Sequence, residues 1–83
     1  MPTYHPEILE ALATHGLRPR PDTTPEALRE AVNDLYRHEI RALRDRCRAR
    51  EFPVGELAPR VVELRQRYLL LSIPLAAWTL DEA

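Results

Sequence analysis

Apolar residues fall on helical spacing in three separate stretches, and no stretch alternates with the period of two that a half-buried strand needs. The first stretch, residues 5–16 (HPEILEALATHG), places Ile8, Leu9 and Leu12 on one face. Pro6 suits a first helical position and Gly16 falls just past the end, the expected asymmetry of helix termini. LRPRPDTT follows as a stiff linker, because each proline pushes the residue before it out of helical geometry. Residues 23–51 then read as one long helix. Thr24 caps it, Pro25 fits its first turn, and Glu26 complements the positive end of its dipole. FPVG at 52–55 breaks the pattern. A third helix runs over 56–71, tolerating Pro59 only because that residue lies near its start. SIPLAAWTLDEA closes the chain as an apolar tail.

The long helix carries two apolar patches at two angles. Leu28, Ala31, Val32 and Leu35 share one face, while Tyr36, Ile40, Leu43 and Cys47 share another, rotated by roughly a quarter turn. Two patches imply two neighbours. At the rise of an α-helix, the long element spans roughly 39 Å and the third helix roughly 24 Å. Folded back antiparallel, the third helix therefore reaches only to about Tyr36. The first helix and the tail residues Leu75 and Trp78 remain to cover the rest. The third helix has a seam of Leu57, Val61, Leu64, Tyr68 and Leu71, at coiled-coil spacing. Ala58, Val62 and Leu69 form a second stripe off that seam. With Ile73, Leu75 and Trp78 they make a candidate self-association surface, because one folded copy offers a single long helix to cover them all.

The expected fold is all-α: a long central helix in an antiparallel helical hairpin, with a short N-terminal helix and an apolar C-terminal tail, forming a bundle. The chain of 83 residues makes one domain over 1–83, small enough that a partner subunit is a reasonable source of extra burial.

Composition narrows the function classes. Net charge is -1, which argues against a general polyanion binder. All 12 basic residues are Arg, as a GC-rich genome would dictate; a thermophilic source also fits the scarcity of Asn, Gln, Met and Cys. YLLLSIPLAAW is too short to span a bilayer and contains Pro74. The start lacks the basic and apolar regions of a signal peptide, so a cytoplasmic location is expected.

Arg37, Arg41, Arg44 and Arg48 fall within roughly 60° of arc on the long helix. They are candidate contacts for nucleic acid or another anion. Glu26 and Glu30 precede them on the same strip, an order that complements the helix dipole without any ligand. Asp34–Arg37, Arg41–Asp45 and Asp45–Arg48 are also spaced to pair. That makes a solvated face the simpler expectation and nucleic acid an unexpected partner. Glu39 lies between the two apolar patches, where a charge is costly unless paired. Arg46 on the same helix and Arg65 on the third are its candidate partners in a buried ion pair.

Catalytic signals are absent. His38 lies near Asp34 and Asp45, but there is no HExxH, no paired Cys/His spacing, no GxSxG and no Gly-rich phosphate loop. Neither a metal nor another cofactor is expected. Cys47 sits on the apolar face and reads as a small core residue. Tyr4, Tyr36, Phe52, Tyr68 and Trp78 are scattered as core fillers rather than as a stacking row for bases. A helix-turn-helix is excluded by the length of the central helix. The expected role is a non-enzymatic interaction or assembly module that binds itself or another protein. Anion or nucleic-acid binding through the arginine strip stays open, as does a small helical enzyme with a site between subunits.

Overall fold

The computed structural model describes residues 3–80. Three helices follow one another: α1 (Pro6–Thr14), α2 (Pro25–Arg48) and α3 (Leu57–Arg67). Short 3-10 turns occupy Val54–Glu56, Leu69–Ser72 and Leu75–Ala77. The class is all-α; among the described residues there is no strand, and the only sheet-like pairing is one antiparallel bridge between Tyr4 and Thr79.

Local chemistry sets the helix ends. Pro6 opens α1, and Gly16, at φ 76°, turns the chain after it. The Leu17 and Gly16 amides donate to the Leu12 and Ala13 carbonyls, satisfying groups the helix end would otherwise orphan. Thr24 caps α2 by accepting from the Ala27 amide at 3.1 Å, with Pro25 in the first turn. The far end of α2 stops at Arg48, short of the expected Glu51. Arg50 adopts φ 63° there, and the Arg50 and Glu51 amides close onto the Cys47 and Arg46 carbonyls. This is the same closure as in α1, made without glycine, at a conformational cost of about 1–2 kcal/mol.

α3 is also shorter than its apolar pattern. It ends at Arg67, where Tyr68 leaves helical geometry (φ -116°, ψ 32°) and the chain tightens into the turn Leu69–Ser72. The change turns Leu70 into the core while Leu69 faces out. Three consecutive leucines cannot all lie on one helical face, and unwinding buries the middle one.

Contacts descend α2 as they climb α3 and the tail. Arg46 and Arg60 share the Phe52 ring, Tyr68 reaches Glu39, and Arg65 reaches Tyr36. Beyond the reach of α3, Arg29 donates to the Leu71 carbonyl at 3.1 Å and to the Ile73 carbonyl at 3.2 Å. Trp78, fully buried, donates its indole N–H to the Ile73 carbonyl at 3.1 Å. The His5 amide then donates to Trp78 and the Leu80 amide to Thr3, tying the two chain ends together. Leu12 and Val32 are buried with Trp78 in one core that also holds Ile8, Leu28, Leu43, Cys47, Leu64 and Tyr68.

This arrangement corrects part of the expected self-association surface. Trp78 is enclosed, and Ile73 and Leu75 are half-buried against the core. The tail is consumed in covering the first half of α2, because α3 is too short to do so. The molecule is elongated, 49 × 19 × 17 Å, with a radius of gyration of 15.3 Å. A compact chain of this length would have a radius of about 12 Å. Among the described residues, no helix is long and apolar enough to cross a membrane.

Candidate functional site

The arginine strip divides into paired and unpaired members. Arg37 contacts Glu30 at 3.2 Å and Asp34 at 3.3 Å, and Arg48 lies 3.9 Å from Asp45. Asp45 is thus drawn to Arg48, and the expected Arg41–Asp45 pair does not form. Arg41 and Arg44 have no carboxylate partner among the described residues and flank, with Arg37, Tyr36 and Ile40, a shallow groove of about 200 Å³. These pairs are exposed, and each contributes roughly 0.2–1 kcal/mol.

Glu39 has a different partner from the one its charge predicts. Neither Arg46 nor Arg65 pairs with it. Arg46 contacts Glu51 at 3.2 Å, and the Arg65 Nε donates to the Tyr36 hydroxyl at 3.4 Å. Instead the Tyr68 hydroxyl donates to Glu39 Oε2. The carboxylate is only half-buried, so one strong hydrogen bond and partial solvation satisfy it where a deeply buried charge would need a cation. Burial, then the hydrogen bond to Glu39 and the charge of Glu39, push the Tyr68 phenol up to about 12, with Arg67 opposing. At neutral pH the phenol is therefore a fixed donor and not a base.

His15, from the end of α1, stacks on Tyr68 with ring centroids 4.3 Å apart and planes 18° from parallel. Tyr36 meets the same ring edge-on at 5.2 Å. The cluster joins all three helices. A groove of about 390 Å³ beside it is lined by Thr14, His15, Leu35, Glu39, Arg67 and Tyr68. Among the described residues no group of three His, Cys, Asp or Glu is placed to hold a metal ion. The cluster ties α1 to α2 and α3.

The second stripe of α3 has no cover. Val62 is 53% exposed and Leu69 60%, with Ala58 exposed on the same side. Val54, 77% exposed, extends the apolar surface at the α2–α3 turn. Beside Leu69 lies a predominantly apolar groove of about 310 Å³ between Tyr36, Arg65, Tyr68, Leu71 and Ser72. Sequence periodicity finds the stripe but not the groove, which exists only because α3 unwinds at Tyr68 and moves Leu70 inward.

Phe52 lies under two guanidinium groups, Arg60 at 4.1 Å and Arg46 at 5.8 Å from the ring centroid. Glu56 fixes Arg60 at 3.1 Å. The contacts close the turn between α2 and α3 and explain why Phe52 is buried despite its place in the connection. Comparison of the chain with protein-family models, with curated proteins and with solved structures finds no match.

Proposed function

We propose that the chain is a non-enzymatic interaction module that associates with itself through the outer face of α3. The observation that carries this reading is the exposure of Val62 and Leu69 after the tail has been used to cover α2. A twofold pair is the commonest way to close such a surface.

Light scattering of variants tests the reading. Val62→Glu and Leu69→Glu each shift the protein toward monomer, because a charge is forced into the covered stripe. Arg37→Glu, on the opposite strip, leaves the mass unchanged. Loss of association in Arg37→Glu with retention in both α3 variants would overturn the assignment.

A second reading rests on Arg41 and Arg44, whose charges are uncompensated by any carboxylate among the described residues. They would take an anion, with Tyr36 and Ile40 beneath it. The net charge of -1 opposes a large polyanion. The open groove lined by unpaired guanidinium groups nevertheless suits a small one.

A further inference from the structure

The groove of about 390 Å³ where α1, α2 and α3 meet falls within the size range of small-molecule pockets. Two opposite charges border it, Glu39 from α2 and Arg67 from the last turn of α3. The same two side chains edge a second recess of about 180 Å³ between α2 and α3, so both stand at the junction of the two hollows. They do not pair with each other, and neither has an ion-pair partner among the described residues. The other arginines of the second recess are already occupied, Arg46 by Glu51 and Arg60 by Glu56. Both charges nonetheless act on one phenol, since burial and then Glu39 raise the Tyr68 pKa while Arg67 opposes them. We propose that this groove binds a free amino acid with an apolar side chain, its ammonium group on Glu39 and its carboxylate on Arg67.

The chemistry of the walls selects that class. Tyr68 spends its proton on Glu39 Oε2, and no donor among the described residues reaches the other oxygen. The Arg67 guanidinium is exposed and offers the fork of donors that matches a carboxylate. A simple anion on Arg67 would face the like charge of Glu39, and a simple cation on Glu39 would face that of Arg67. A neutral apolar molecule would strip water from both charges and return nothing. A zwitterion satisfies both at once. Leu35 and the stacked rings of His15 and Tyr68 supply an apolar wall in the same groove, which suits an aliphatic side chain. The Thr14 hydroxyl is already spent on the Glu10 carbonyl at 3.0 Å. All these groups belong to one copy, so the site does not depend on self-association.

The test is a titration of the full nitrogen-15-labelled chain, followed by amide chemical shifts at neutral pH and constant ionic strength. The probes are L-leucine, L-leucinamide, which lacks the carboxylate, and N-acetyl-L-leucine, which lacks the ammonium group. L-Leucine gives saturable shifts at His15, Leu35, Glu39 and Arg67, with a Kd on the order of a millimolar. Each of the other probes binds at least about tenfold more weakly, because one charge of the site is left without a partner. Arg67→Gln and Glu39→Gln each weaken L-leucine binding by a similar factor. Glutamine at 39 still accepts from Tyr68, and Arg67→Gln alters an exposed side chain, so both variants keep the fold. Arg20→Gln, an exposed arginine of the linker, leaves the Kd unchanged. Absence of saturable shifts up to roughly 50 mM, or shifts that map away from the groove, overturns the site. Equal binding of either blocked probe, or equal weakening by Arg20→Gln, overturns the zwitterion assignment.

Discussion

Replacing Tyr68 with phenylalanine isolates the hydrogen bond that holds Glu39 while keeping the ring against His15 and Tyr36. Near neutral pH the lost donor to a charged acceptor costs about 1.5–3 kcal/mol of folding stability. The alkaline range separates this from a packing defect. The Tyr68 phenol titrates at about 12 in the folded chain against an ordinary value of 10.0. Folding therefore strengthens its hold on the proton, and the corresponding stability is complete below pH 10. It declines as pH rises from 10, where the unfolded phenol ionises, towards about 12, where the folded one does. Two units correspond to roughly 2–3 kcal/mol. Phenylalanine cannot ionise, so the gap between wild type and Tyr68→Phe narrows across that window by a similar amount. Urea unfolding followed by circular dichroism, at fixed protein concentration and at pH 7, 9, 10.5 and 11.5, measures it. Parallel stability curves for the two proteins would refute the argument, since they would mean that folding, through burial first and Glu39 second, does not raise the phenol's pKa.

Leu64→Ala costs about 2–5 kcal/mol in chemical denaturation, the range for a buried leucine truncated on a seam. Arg44→Ala changes stability by no more than about 0.5 kcal/mol, as for an exposed side chain without a partner; equal losses would mean that the two faces are misassigned. In electrophoretic shifts at physiological salt the protein shows no specific affinity for DNA or RNA. Sub-micromolar binding that weakens steeply with salt and vanishes in Arg41→Glu and Arg44→Glu would replace the self-association reading with a phosphate-binding one.

The parts of the fold legible in the sequence are those set by spacing and length. Leu57, Val61, Leu64 and Tyr68 recur at intervals that only a helix seam explains. The mismatch between a long helix and a short one required the N-terminal helix and the tail to share the remaining face. Termination was less legible. The run Tyr68–Leu69–Leu70–Leu71 has no polar punctuation, so nothing in it marks the point where α3 unwinds and Leu70 turns inward. Arg50 closes α2 in a left-handed conformation that composition assigns to glycine. Trp78 illustrates a different ambiguity, because a large apolar side chain after a proline fits an interface and a core equally well. The hydrogen bonds from Arg29 and Trp78 to the tail's own backbone, with that from the His5 amide to the Trp78 carbonyl, fix it inside. For Glu39, burial implied a partner, but charge alone pointed to arginine. The partner is a phenol, because the axial register of α3 on α2 brings Tyr68 to that level and leaves Arg65 at Tyr36.

Everything proposed for the α3 face depends on one quantity, the mass of the wild-type protein in solution. Multi-angle light scattering from a few to a hundred micromolar should give twice the 9.6 kDa chain mass at the upper concentrations, with dissociation on dilution. A constant 9.6 kDa across that range would contradict the account and leave the stripe of Ala58, Val62 and Leu69 for a different protein.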